Sequence, residues 1–164
     1  MSPSGPDPPQ VRRARYEDWP AIARLLREID ELHASLAPQY FRSATRMESE
    51  WRRALGDPTA VVLVAATGPS AAVPVGFLSI RVYDTPADPA MVPRRRGHVE
   101  TLVVDARHRR RGIGRQLLAE ATDWARGQGA VELVLTSWSG NADADAFYES
   151  LGYQVLSRVL HRRI

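Results

Sequence analysis

The chain has 164 residues, of which 44% are hydrophobic and 25% charged, with a formal net charge of +3, as expected of a single folded domain with a substantial core. It has no cysteine and all 22 of its Lys/Arg positions are arginine. That excludes a disulfide framework, a thiol nucleophile, a cysteine-ligated metal, a Schiff-base lysine and a Walker-type phosphate loop. No apolar run approaches the ~20 residues that cross a bilayer, and the Pro-rich start lacks the apolar centre of a signal peptide, so a cytoplasmic location is expected.

Residues 1–10, rich in Pro, Ser and Gly, read as a disordered leader before a single domain over 11–164. Val11 opens a short strand, and a helix follows with Asp18 as N-cap, Pro20 in its first turn and Ile22, Leu25, Leu26 and Ile29 on its apolar face. That helix fades near Pro38, and a second is expected over 45–55, stopped by Gly56 and Pro58. Strands at 60–66 and 75–83 form a hairpin across a Gly-Pro turn, and a Pro-rich loop covers 84–96. A strand at 98–104 leads through a glycine turn into a helix at 115–126, whose inward stripe is Leu117, Leu118, Ala121, Trp124 and Ala125. A strand at 131–136 then lies parallel to its predecessor across that helix. A short helix at 142–151 and a final strand, or two short ones, after Tyr153 complete the chain. The fold class is therefore mixed α/β, in the order β-α-α-β-β-β-α-β-α-β, with helices on the faces of a mixed sheet.

The densest chemistry lies between Val99 and Arg126. An apolar strand empties into Asp-Ala-Arg-His-Arg-Arg-Arg-Gly-Ile-Gly and then a helix. The first amides of a helix have no internal partner, and the helix dipole adds positive potential there. Gly112 and Gly114 let a phosphate approach the backbone, and five arginines between 107 and 115 surround the point. The same residues also read as a solvated basic turn, and this stretch alone does not choose between the two.

Two motifs together carry a resemblance. The first is Glu100-Thr-Leu-Val-Val-Asp-Ala-Arg-His-Arg-Arg-Arg-Gly112-Ile-Gly114; the second is Asn141-x-x-Ala144-x-x-Phe147-Tyr148-Glu-Ser-Leu-Gly152-Tyr153. At this separation, joined by a crossover helix, they resemble the GNAT superfamily of acyl-CoA-dependent N-acyltransferases. The family often has Pro at Ala106, an aromatic at His108 and a small residue at Arg110, and this chain departs from it there.

The resemblance implies a GNAT-like sheet in which strands four and five splay apart. It implies acetyl-CoA as co-substrate, no metal and an amine acceptor. The pyrophosphate would be held by the backbone amides of the loop Arg109, Arg110, Arg111, Gly112, Ile113, Gly114 and Arg115, with outward guanidiniums meeting the 3′-phosphate of the nucleotide. Leu102, Val103 and Val104 would bond the pantetheine arm through their backbone, and Asn141 would touch it. Tyr148 stands at the family position of the acid that protonates the departing thiolate, with packing in the core as the alternative. Glu100 is the candidate base; equally, it pairs with an arginine such as Arg81 or Arg96, and His98 is the reserve. Candidate acceptor-pocket residues are His33, Tyr40, Phe41, Tyr83 and Trp138, with Asp30, Glu31 and Asp84 as attractors of a cationic amine; Phe41 and Trp138 also read as core.

A Rossmann site is disfavoured because Leu117 stands where the third glycine belongs. The arginine clusters lack interleaved aromatics, which argues against a nucleic-acid module. An acyl-CoA sensor without turnover remains a rival reading. A homodimer is compatible with the sequence, and no membrane partner is expected.

Overall fold

The computed structural model describes residues 8–163. Five strands form one sheet in the order β1 (Gln10–Arg13), β2 (Ala60–Thr67), β3 (Val73–Asp84), β4 (Arg95–Val104) and β5 (Glu132–Leu135). The first four are antiparallel neighbours and β5 joins β4 in parallel. The parallel step needs a crossover, which α3 (Ile113–Gly127) supplies. Helices α1 (Trp19–Leu36) and α2 (Glu48–Leu55) cover one sheet face. The other face carries α3, with α4 (Ala142–Glu149) beside it.

Two cores follow from that layering. Strand β2 is an unbroken apolar run because both of its faces are covered. Val61, Leu63 and Ala65 join the core under α3, while Val62 and Val64 join the core under α1 and α2. On α3, Leu117, Leu118, Ala121 and Ala125 are buried and Trp124 packs at their margin, as the periodicity predicts. Ile22 and Leu25 are buried on α1, with Leu26 and Ile29 alongside.

The structure corrects several expected boundaries. Asp18 precedes α1 but caps none of its amides. Its buried carboxylate turns back to Arg12, at 2.8 Å from two guanidinium nitrogens, and to the Arg15 amide at 2.7 Å. The second helix starts at Glu48, not 45. Arg46 is drawn to Asp30 by two hydrogen bonds of 3.1 and 2.6 Å, and the Glu50 carboxylate accepts from the extended Met47 amide, so the helix begins only after them. Strand β4 begins at Arg95 because residues 95–97 pair with β3, and Arg96 and Gly97 with β5 as well.

The expected final strand does not form. Residues 153–163 adopt no regular structure, and Val155, Leu156, Val159 and Leu160 are exposed. Gly152, at φ +86°, turns the chain off α4; Tyr153 then packs on Tyr148, and His161 reaches Tyr40. Residues 1–7 of the expected leader, and Ile164, lie outside the described residues.

Gly97 fixes the closeness of β4, β5 and α3. A β-carbon there would lie 2.6 Å from Leu133 Cδ2, 3.1 Å from Ile80 Cδ1 and 3.2 Å from Ala125 Cβ. Gly97→Ala is therefore expected to destabilise the fold by about 1–3 kcal/mol, read as a lower urea midpoint.

Candidate active site

Strand β4 changes character halfway along. From Arg96 to Val99 it pairs with β5, and the parallel register ends at Val99↔Leu135. On its other edge, Ile80 pairs with Val99 and Ser79 with Thr101, so Glu100 is an inserted residue, a β-bulge. The insertion slips the alternation of side chains. Gly97 and Val99 are buried under α3, and Leu102 and Val104 pack against that same core. Val103 enters the opposite core, and Glu100 and Thr101 both border a pocket under α1 and α2. Beyond the bulge β4 has no pairing with β5, so the sheet opens there. The side chains of Leu102, Val103 and Val104 pack into or against the cores, and the backbone of this segment runs along the opened edge.

The opening leads straight into the arginine turn. Asp105 ends β4, is 2% exposed and caps a single 3-10 turn, Ala106–His108. Its carboxylate accepts from the Arg107 amide at 2.9 Å, from the Arg107 guanidinium at 3.1 and 3.2 Å, and from Arg24 of α1 at 2.7 Å; His108 Nδ1 lies 3.5 Å away. The Arg107 bond and those of Arg24 and His108 outweigh burial and hold the carboxyl well below the usual range. After this anchor, Arg110 takes the left-handed conformation at φ +62°, and Gly112 does so at φ +79° as the N-cap of α3. An arginine at positive φ is costly, and such strain clusters where a loop must aim its amides. Arg109, Arg110, Arg111 and Arg115 are exposed around the helix start, while the Ile113 side chain is buried and leaves only its amide to the turn. Arg109 folds back, its Nε donating to the Val104 carbonyl at 3.0 Å.

Helix α4 closes the far side. Asn141 caps it, its side chain accepting from the Ala144 amide at 3.3 Å. Phe147 lies against the first turn of α3, where a β-carbon on Gly114 would meet its Cζ at 3.1 Å. Tyr148 is half-buried and packs against the core under α3, the alternative to its acid role, with ring centroids 5.2 Å from Phe147 and 5.5 Å from Tyr153. Burial, assisted by Tyr153, pushes the Tyr148 phenol up to about 12, so it remains protonated throughout the neutral range.

Glu100 is exposed at the bulge and accepts from Arg81 Nε at 3.1 Å. Arg81 also bonds Asp57, whose carboxyl is held down to about 2 by Thr59 first and Arg81 second. Arg96, the other partner considered for Glu100, bonds Glu132 at 2.6 Å. His98 packs edge-on to Tyr83 at 6.5 Å. Four of the five aromatic pocket candidates do converge. His33 meets Phe41 at 4.9 Å, Phe41 meets Trp138 at 4.6 Å, and Tyr40 meets Trp138 at 5.6 Å; Tyr83 stays with His98. Asp30 is bonded by Arg46 and Asp84 by Arg95. Pairing of Arg95, Arg96 and Arg107 with carboxylates also ties down part of the basic clusters that a nucleic-acid surface would use.

Asp105 was not singled out from the sequence, although a lone Asp between an apolar strand and a turn is a recognisable turn-capping signal. The pocket beside Glu100 was missed as well. Its aromatic walls, Trp19 and Trp51, are 32 residues apart in sequence, and no periodicity links them.

A family model described as "Acetyltransferase (GNAT) family" matches residues 19–153. This chain belongs to the GNAT acetyltransferase family. A human relative, N-acetyltransferase 8, is 33% identical over 69 residues, which span 42% of this chain and 30% of that protein. Among solved structures, a tetramutant of the BH1408 protein from Bacillus halodurans is 25% identical with a TM-score of 0.87, covering 94% of this chain and 99% of the other. The aminoglycoside N-acetyltransferase AAC(6')-Iy in complex with CoA shares the fold at 15% identity and a TM-score of 0.71, covering 94% of this chain and 98% of the other. The mixed sheet with parallel β4 and β5 is the GNAT fold that the two motifs imply.

Because its folded pKa is lowered, Asp105 stabilises the chain fully above the unfolded value near 3.8 and loses that contribution as pH falls through the folded value. Asp105→Asn is expected to lower stability at pH 7 by about 1–3 kcal/mol in urea unfolding, with the gap to the parent narrowing below about pH 4.

Proposed function

We propose that this GNAT chain transfers an acetyl group from acetyl-CoA to a primary amine within a ternary complex. The observation that supports this best is the placement of an opened strand edge and an anion turn on one continuous stretch, Glu100 to Arg115. A pantetheine arm is an extended chain with amides, suited to run along the segment Leu102–Val104 like an added strand. It bonds the outward backbone groups of Leu102 and Val104 once Arg109 releases the Val104 carbonyl, while Val103 faces β3. A diphosphate suits the amides of residues 112–115, where Gly112 leaves the backbone open and Arg109, Arg110, Arg111 and Arg115 supply charge. The missing β-carbon of Gly114 makes room for Phe147 rather than for a phosphate.

Acetyl-CoA supplies an activated thioester carbonyl. The residues of the chain then manage two protons. An alkylamine is mostly protonated at neutral pH, and Glu100 accepts its proton, directly or through water, with the carboxylate oxygen that Arg81 leaves free. Tyr148, kept protonated by its raised pKa, donates its phenolic proton to the departing thiolate and regains one from the nitrogen of the forming amide. An amide of β4 beyond the bulge polarises the carbonyl as negative charge develops on it. Asn141 orders the start of α4 and so the placement of Tyr148.

Calorimetry with acetyl-CoA, together with thiol release against a panel of amines, tests the proposal. Saturable binding with amine-dependent release is expected. Absence of binding overturns the proposal, and binding without release for any amine leaves an acyl-CoA sensor. Tyr148→Phe is expected to lower kcat by roughly 10²-fold or more while the Kd for acetyl-CoA stays within about twofold. No decline in kcat is expected from ionisation of this phenol below about pH 10, because its folded pKa exceeds the ordinary one.

A further inference from the structure

A pocket of about 160 Å³ lies between α1, α2 and the sheet and reaches the bulge through Glu100 and Thr101. Its walls are Trp19 and Trp51, whose ring centroids are 6.1 Å apart and inclined by 30°. Trp51 is held there by its indole N–H, which donates to the Tyr16 carbonyl at 3.3 Å. The floor is Val62 and Phe77, both buried. A cavity of this size and lining accommodates about one aromatic ring, since apolar cavities near 150 Å³ take up benzene.

The rim has the opposite character. Glu50 and Glu100 stand on it with Arg46. Arg46 is paired with Asp30, and Glu100 shares Arg81 with Asp57. The rim itself therefore carries two carboxylates and one guanidinium, and that guanidinium is already engaged by Asp30, in a chain whose net charge is positive. An apolar, aromatic interior beneath a negative rim complements a ligand with a cationic head and an apolar body. Glu100 places that rim where β4 and β5 part, and its proposed role as base brings the head of the ligand there.

We infer that this pocket is the acceptor site and that the acceptor is a primary amine carrying one apolar group of about the size of a phenyl ring. The inference rests on the acetyltransferase reading above and adds the class of acceptor. The ring lies against the paired Trp19 and Trp51 and over Phe77, and the amine stays at the rim beside Glu100. A polycation gains little from that interior, because each further ammonium group would have to give up water against apolar walls.

The test compares kcat/KM with saturating acetyl-CoA for 2-phenylethylamine and hexylamine against ethylamine, spermidine and kanamycin, on the full chain. The first two are expected to exceed each of the others by roughly tenfold or more, the range in which an apolar pocket discriminates by a few methylenes. Ala54→Phe, which projects a ring into the pocket from α2, is expected to remove that preference while the Kd for acetyl-CoA stays within about twofold. Retained acetyl-CoA binding shows that the variant is folded. The same loss in Ala54→Leu, a smaller intrusion, should be partial. Turnover with a preference for spermidine, kanamycin or ethylamine overturns the inference and leaves the acetyltransferase reading standing. A preference that survives Ala54→Phe overturns the assignment to this pocket. Failure to bind acetyl-CoA overturns the parent reading, and this one with it.

Discussion

The site depends on β4 having two neighbours along its first half and one along its second. Gly97 brings β5 and α3 close where both edges are paired. Three residues later the bulge at Glu100 bends the strand and pairing with β5 has ended. Had β5 continued beside Leu102 and Val104, their remaining backbone groups would be bonded inside the sheet and unavailable to any ligand. A parallel partner that stops early leaves an edge that is exposed but sheltered by helices, unlike the outer edge of an open sheet. The helix that carries the chain from β4 to β5 also presents its N-terminus at the mouth of this opening, so one connection serves both topology and anion binding.

Asp105 joins these parts mechanically. It lies between a strand, a 3-10 turn and α1, and it is bonded from all three directions by Val75 and Arg107 through backbone, and Arg107 and Arg24 through side chains. Leaving one of those guanidiniums without its carboxylate would loosen a turn that already holds Arg110 in a left-handed conformation. The buried carboxylate thus supports the electropositive surface by fixing where it points.

Elements with a strong internal rhythm were legible in the sequence. The stripes of α1 and α3, the apolar run of β2 and the crossover to β5 follow from periodicity and chain direction alone. Boundaries set by tertiary ion pairs were not: Arg46 delays α2 because Asp30, sixteen residues earlier, holds it. The tail after Gly152 has the composition of a strand, but a strand exists only with a neighbour, and pairing is not written into one segment. At the site, the glycines, Tyr148, Asn141 and Glu100 stood out by motif, whereas the bulge that places Glu100 beside Thr101 depends on its register with β3. The Trp19–Trp51 wall likewise comes from packing two helices together, which no local pattern records.

The ion pairs around this site share one chemical property. Arg24, Arg46, Arg81, Arg96 and Arg107 supply the cations, and the chain contains no lysine. A guanidinium stays protonated at any physiological pH and is a poor nucleophile toward a thioester, whereas a lysine amine, once deprotonated, can be acylated and lose its charge. The electrostatic frame of this chain is therefore inert to the acyl donors its family uses. Long exposure to reactive thioesters leaves the contacts that hold Asp105, Asp30 and Glu100 chemically unchanged.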